Sequence, residues 1–335
     1  MDLMLNISIP KPADEISHHH KILSVGSCFT EHIGNALKDL KFHVLQNPNG
    51  ILFDPASVCK SLNSYITNTQ YHENDLFSLN ELWHCWDHHS RFSGTDKELV
   101  LTNINRSQTK AHTFLKEADW LIITLGSSFS YHLTQNAAQT SGSISDKGVA
   151  NCHRAPAQWF SKHMMTIDET TSALRQTLTN LLQFNPTLRF IFTISPVRHI
   201  RDGVVENNRS KARLLEAVHS VVSSTDGAYY FPSYELVIDL LRDYRFYAED
   251  LVHPNYLATG YVLERFIETF MSTDTQQAIK EIAKLNIARK HKSSHPTTDA
   301  HRCFLQSHAE KAQQLQQQYP HIDFTEDLAY FSILS

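Results

Sequence analysis

The sequence predicts a doubly wound α/β domain built on a parallel sheet of about five strands. Three observations predict it. The apolar runs at 119–125 (Asp-Trp-Leu-Ile-Ile-Thr-Leu) and 189–195 (Arg-Phe-Ile-Phe-Thr-Ile-Ser) are continuous rather than alternating, as in strands covered on both faces. Helical periodicity separates such runs, so that strand and helix alternate through residue 272. The first apolar run, Lys21 to Val25, ends in Gly26 and leads directly into a helical pattern, which reads as strand, tight turn and helix.

In chain order, Thr30 to Leu40 places Ile33, Ala36, Leu37 and Leu40 on one helical face, and Phe42 to Leu45 is a second short strand. Asp54-Pro55 reads as an N-cap followed by proline at the first helical position. Helices are expected at Ser107 to Ala118, Thr170 to Phe184, Ser210 to Ser223, Tyr234 to Leu241 and Asn255 to about Met271, with a last short strand at Ala228 to Phe231. Residues 70–106 and 127–165 are too long for ordinary strand-to-helix connections and are expected to form a pocket rim on the sheet's carboxyl side. After Met271 the composition turns to Gln, Lys and His. Helices are expected at Thr273 to Ala288 and His308 to Tyr319, joined by a polar linker at 291–298. This divides the chain into a main domain over 1–272 and a helical C-terminal accessory segment over 273–335, read as an oligomer contact or an appendage.

Composition narrows the function. The 335 residues are 41% hydrophobic, enough to bury a substantial core. Thirty basic against 35 acidic residues give a formal net charge of −5, which argues against a nucleic-acid partner. Residues 1–15 lack the apolar core and small-residue cleavage site of a signal peptide, and no run approaches the roughly 18 apolar residues needed to span a bilayer. Five irregularly spaced cysteines without a Cys-x-x-Cys pair argue against a disulfide framework or a zinc ribbon, so a reducing cytoplasm is the expected compartment. The 21 histidines, including the triplet His18-His19-His20, are read mainly as compositional bias.

Two segments carry the chemistry. A serine hydrolase needs a serine, a histidine to take its proton, an acid to fix that histidine's tautomer, and donors for the developing oxyanion. Ser27 lies between strand and helix at the sheet's carboxyl edge, where α/β proteins bind ligands; the main-chain N–H of Ser27 or Cys28 there can donate to an oxyanion. Asp250 and His253 stand three residues apart just before a helix, a spacing that lets both face the same edge, although Asp-x-x-His-Pro is also a common helix-start sequence.

Gly26-Ser27-Cys28-Phe29 together with Asp250-x-x-His253-Pro-Asn resembles the GSCFA family of the SGNH (GDSL-like) hydrolase superfamily. The segments at 47–55, 82–90, 124–131, 151–156 and 195–199 resemble family segments in the family's order, and the resemblance covers roughly residues 18 to 270, with the tail outside it. It implies a three-layer, flavodoxin-like fold and esterase chemistry, with Ser27 as nucleophile, His253 as general base and Asp250 as its orienting partner. Thr30 stands where the family's name has alanine. Gly126-Ser-Ser128 lacks the asparagine of the Gly-x-Asn that supplies an SGNH oxyanion donor. The oxyanion candidates are therefore the Gly50 backbone, Ser128 through its hydroxyl, and Asn151 from the long loop.

Other residues carry competing readings. His84, Cys85, His88 and His89 have metal-ligand spacing, but the surrounding Trp83, Trp86 and Phe92 favour a packed rim from which His88 or His89 touches substrate; no metal and no cofactor is expected. Cys152 reads as a small packing residue rather than a nucleophile. His153 and Arg198 are candidates for holding a polar part of the substrate, with His199 and Arg201 beside Arg198. The expected function is a serine-dependent ester hydrolase for an acylated small molecule, an O-acylated carbohydrate among the candidates. An acyltransferase with the same triad, a catalytically silent glycan- or lipid-binding protein, and a metal-dependent site around His84 and His88 are the alternatives.

Overall fold

The computed structural model describes residues 5–333. In chain order the elements are β1 (Lys21–Gly26), α1 (Cys28–Asp39), β2 (His43–Gln46), α2 (Pro55–Thr67), β3 (Leu76–Leu79), β4 (Leu82–Cys85), α3 (Lys97–Lys116), β5 (Trp120–Leu125), β6 (Phe129–Leu133), α4 (Gln135–Ser141), β7 (Gly148–Val149) and β8 (Phe160–Met164). There follow α5 (Ile167–Phe184), β9 (Arg189–Ile194), α6 (Val204–Val222), β10 (Ala228–Tyr230), α7 (Ser233–Glu235, continued by a π turn), α8 (Tyr256–Phe270), α9 (Thr273–Lys290), α10 (Asp299–Gln318) and α11 (Thr325–Ile333).

Five strands form the main sheet in the order β10-β9-β5-β1-β2, with β10–β9, β9–β5 and β5–β1 paired in parallel. This is the doubly wound order in which the chain starts at β1, moves outward to β2, and returns to the far side of β1 through β5. The reversal falls between β1 and β5, and the carboxyl ends of those two strands are where such folds open a ligand crevice. Every residue of β5 is buried, as is each residue of β1 after Lys21 and of β9 after Arg189, which explains why these strands read as unbroken apolar runs.

Leu23, Val25, Leu121, Ile123, Phe190 and Phe192 of the sheet pack in one core with Val58 and Leu62 of α2, Ala111 and Leu115 of α3, Leu178 of α5 and Leu214 of α6. Burying each of the larger side chains stabilises the fold by roughly 1.5–3 kcal/mol.

The two long connections carry secondary structure of their own. Residues 70–106 contain the antiparallel hairpin β3–β4, and α3 begins ten residues before the expected start. Asp96 caps α3, accepting from the Leu99 N–H at 3.0 Å, and Val100 and Ile104 extend the apolar stripe of Gln108, Ala111 and Leu115 backwards. Residues 127–165 form a three-stranded antiparallel sheet in the order β7-β6-β8. Phe77 stacks on the fully buried Trp86 at 3.7 Å, and Trp86 donates to Ser143 Oγ at 3.0 Å.

The chain forms two compact units. One comprises Lys21–Gly34 and Val44–Leu263 with the described residues up to Ile9; the other comprises Pro10–His20, Asn35–His43 and the residues from Glu264 on. The second unit buries Ile282, Leu285, Leu305, Leu315, Phe324 and Phe331. Its Asp327 is fully buried, 2.6 Å from Lys41 Nζ and 3.3 Å from Arg289 Nη1. Helix α9 starts where the tail's periodicity places it. Helix α10 starts nine residues earlier than expected because Thr298 caps it through the His301 N–H, and α11 was not foreseen. No helix among the described residues is long and apolar enough to cross a membrane.

Candidate active site

Ser27 follows the last residue of β1. Gly26 has φ +138, and a Cβ there would lie 2.0 Å from Thr124 O, so glycine is required where β1 presses against β5. The turn is held on every side. Gly26 N–H donates to Asn47 Oδ1 at 2.9 Å, Ser27 N–H to Thr124 O at 3.2 Å, Thr30 N–H to Ser27 O at 2.9 Å, and Leu52 N–H to Gly26 O at 2.9 Å. The Ser27 side chain is fully buried and its Oγ makes no hydrogen bond.

Asp250 and His253 are together. Oδ1 of Asp250 accepts the main-chain N–H of Val252 at 2.9 Å and of His253 at 3.0 Å, while Oδ2 lies 2.6 Å from His253 Nδ1. The bond from the His253 main chain, then that from Val252, then the imidazole itself hold the Asp250 carboxyl down to about 2, so it is an anion at any ordinary pH. A carboxylate on Nδ1 puts a proton there and leaves Nε2 as the basic nitrogen. Both side chains are about half exposed. Their loop is pinned by Ala248 N–H to His253 O at 2.8 Å, by Asn255 Nδ2 to Arg245 O at 2.7 Å, and to the segment after β9 by Arg198 N–H to Val252 O at 3.3 Å.

Between the two halves lie residues that the sequence reading underrated. His199 Nε2 is buried without a hydrogen bond, beside Gly126 and edge-on to Phe53 with ring centroids 5.2 Å apart. Burial, then the charges of Lys211 and His253, depress the His199 imidazole to about 4. Lys211 of α6 is buried and donates to Gly126 O and to Ser195 O, both at 2.6 Å, linking the ends of β5 and β9. Burial pulls its ammonium down to about 7. Helix α6 begins at Val204, ahead of the expected start at Ser210, and Lys211 is not among the expected site residues. Asn207, Ser210, Lys211 and Leu214 share one helical face, and polar residues on an apolar face are the signal that was there to be found.

Each of the three oxyanion candidates makes local hydrogen bonds, Asn151 through its carbonyl oxygen alone. Gly50 N–H donates to Asn47 O at 2.7 Å. Ser128 is fully buried, its N–H and hydroxyl both directed to Ser210 Oγ, at 2.7 and 3.1 Å. Asn151 Oδ1 accepts from Ser90 Oγ at 3.0 Å and from the His153 N–H at 2.8 Å.

The substrate-binding candidates are dispersed. His88 is buried with Nδ1 3.3 Å from Cys85 Sγ and its ring edge-on to Tyr71; His153 is buried with Nε2 2.9 Å from Cys85 O. Burial depresses both imidazoles to about 4. His89 is half-buried and takes the Arg91 N–H at 3.3 Å, and Arg198 is half-buried on the segment that meets the His253 loop. His84 is bonded to Ser93 Oγ at 2.7 Å and to Leu79 O at 3.1 Å, and among the described residues no three His, Cys, Asp or Glu side chains are grouped as a metal site. Cys152 is a free thiol that burial pushes up to about 11.

Residues 21–266, from β1 through the Asp250 and His253 loop, match the GSCFA family. The chain belongs to the GSCFA family. Residues 282–333 match the GSCFA domain protein, C-terminal domain, so the tail, expected to lie outside the resemblance, is part of this GSCFA protein's family pattern. Its Gln- and His-rich composition conceals that, because the apolar stripe of α10 is narrow. No curated protein matches the chain. Among solved structures, a Clostridium thermocellum family 3 carbohydrate esterase is 8% identical, with 79% of this chain and 98% of that chain covered and a TM-score of 0.34. An acetyl xylan esterase (Est2A) from the rumen bacterium Butyrivibrio proteoclasticus is 9% identical, with 79% and 64% covered and a TM-score of 0.35.

Proposed function

We propose that this GSCFA protein is a serine-dependent ester hydrolase of the SGNH type, with Ser27, His253 and Asp250 as its triad. The observation that carries the reading is the 2.6 Å bond from Asp250 to His253 Nδ1, which leaves Nε2 basic, in the same unit as a serine buried without a partner at the switch point of the sheet. Ser27 Oγ attacks the acyl carbonyl as His253 Nε2 takes its proton. The tetrahedral intermediate collapses as that proton passes to the leaving alcohol, and water activated by the same nitrogen then releases the acid and frees Ser27. In the free protein Ser27 and His253 are not bonded; such contacts tighten when substrate excludes water. The full burial of Ser27 favours a short acyl group on a polar alcohol, and an O-acylated carbohydrate is the substrate class we propose.

The test is labelling by a fluorophosphonate together with turnover of nitrophenyl acetate. The wild-type protein is expected to label once and turn over, and Ser27→Ala to do neither. Equal labelling of Ser27→Ala would remove Ser27 as nucleophile. A folded wild-type protein that neither labels nor hydrolyses from pH 6 to 9 would leave a glycan- or lipid-binding protein as the better reading. Product analysis with an added sugar alcohol separates hydrolysis from acyl transfer.

A further inference from the structure

We infer that Asn47 supplies the side-chain donor that stabilises the oxyanion, a role resting on the hydrolase reading above. Three features of Asn47 lead there. The residue sits just past β2, 1% exposed, in the left-handed region at φ +43, where asparagine is tolerated. Its backbone is anchored at both ends. Its N–H donates to Ser24 O at 2.8 Å, and its carbonyl accepts from Gly50 N–H at 2.7 Å and from the Arg91 guanidinium, which also holds Glu31 of α1 at 2.9 Å. Its amide is also oriented. The Gly26 N–H can only donate, so the atom 2.9 Å from it must be Oδ1, and Nδ2 must be the other arm.

That other arm is unsatisfied. Asn47 Nδ2 is buried and makes no hydrogen bond, although leaving such a donor unpaired is destabilising. The two arms of an amide are about 2.2 Å apart, which keeps Nδ2 within about 5 Å of the Gly26 nitrogen, one residue before Ser27. Ser27 Oγ, which is also buried without a hydrogen bond, is the atom that attacks. A buried N–H donor on an amide bonded to the residue just before the nucleophile, and without a partner until charge develops, is what preorganised oxyanion stabilisation requires.

Three competing backbone donors are engaged. Ser27 N–H goes to Thr124 O, Gly50 N–H to Asn47 O, and Ser128 N–H to Ser210 Oγ. The Cys28 N–H, in the first turn of α1, belongs to the set that a helix leaves unpaired, and it would complete a pair with Asn47. The donor missing from Gly126-Ser-Ser128 is thus supplied from the other side of β1.

Asn47→Asp tests this directly, since it keeps an acceptor for Gly26 N–H, tolerates the left-handed backbone and removes the donor. Asn47→Ser is the uncharged control. Both are expected to lower kcat on nitrophenyl acetate by about 10²–10³ with KM changed less than threefold. Both should also weaken inhibition by a tetrahedral boronate by a similar factor, while binding of an unreactive amide analogue is unchanged. A residue that only shapes the loop would change boronate and amide binding alike. A folded variant with kcat within threefold of wild type overturns the inference and leaves the hydrolase reading standing. A wild-type protein that does not hydrolyse ester overturns both. If both variants unfold, the wild-type protein still decides. The side-chain NH₂ resonances of ¹⁵N-labelled Asn47 should move downfield when a phosphonate is bound to Ser27, and no movement refutes the assignment.

Discussion

Gly26→Ala is the sharpest test of how the turn at Ser27 is built. The new Cβ would stand 2.0 Å from Thr124 O and 2.8 Å from Thr124 C, against backbone that has no free rotation with which to escape. Relief requires β1 and β5 to part at their carboxyl ends by about 1 Å, which breaks or stretches the bonds from Gly26 N–H to Asn47, Ser27 N–H to Thr124 and Leu52 N–H to Gly26. Each is worth about 1 kcal/mol net. Alanine at φ +138 adds about 1–3 kcal/mol of backbone strain, so the expected loss is about 4–6 kcal/mol. Urea unfolding followed by tryptophan fluorescence should show the midpoint falling by on the order of 1–2 M for a unit of this size. Gly203→Ala is the internal control: φ is +90 but nothing lies within 4 Å, so only the strain of about 1–3 kcal/mol remains. The reasoning is refuted if Gly26→Ala costs less than 1 kcal/mol or no more than Gly203→Ala.

Three further outcomes are expected. Asp250→Asn should lower kcat on nitrophenyl acetate by on the order of 10³–10⁴ with little change in urea midpoint, and a loss below tenfold would deny Asp250 its orienting role. His88, His153 and His199 are neutral in the fold at about 4 against an ordinary value of 6.5, so between those values the unfolded chain holds more protons; stability is complete above pH 6.5 and falls as pH drops towards 4. Urea midpoints measured from pH 7 to 4.5 should fall, less steeply in His88→Gln, and identical slopes would show that the His88 ring is already charged in the fold. Asp327→Ala should destabilise its own unit by about 3 kcal/mol by stranding Lys41 and Arg289, read as an earlier thermal transition in circular dichroism; an unchanged transition would mean that the cations find water instead.

The sheet was legible because its strands advertise themselves. Residues 119–125 and 189–195 are apolar throughout since both faces are covered, and Gly26 marks the place where one strand touches another. The insertions were not legible, because β3, β4, β7 and β8 are two to five residues long and carry polar residues where α3, α5 and α6 carry an apolar stripe. Asp250 and His253 were found together because a helix start constrains them locally. Lys211 and Asn47 were missed because what distinguishes them is a partner at a distance: two carbonyls at the ends of neighbouring strands in one case, and a glycine N–H 21 residues away in the other.

Arg91 belongs to the first insertion, yet its guanidinium reaches back 44 residues to the Asn47 carbonyl and 60 residues to Glu31. Loop closures of that length carry a larger entropic cost than the local strand–turn–helix. The loop that bonds the Gly26 N–H is therefore held in part by a segment outside the sheet. A chain that has formed β1, α1 and β2 but not the insertion lacks the Arg91 tether on the Asn47 carbonyl, so the loop after β2 depends for that anchor on a segment outside the sheet.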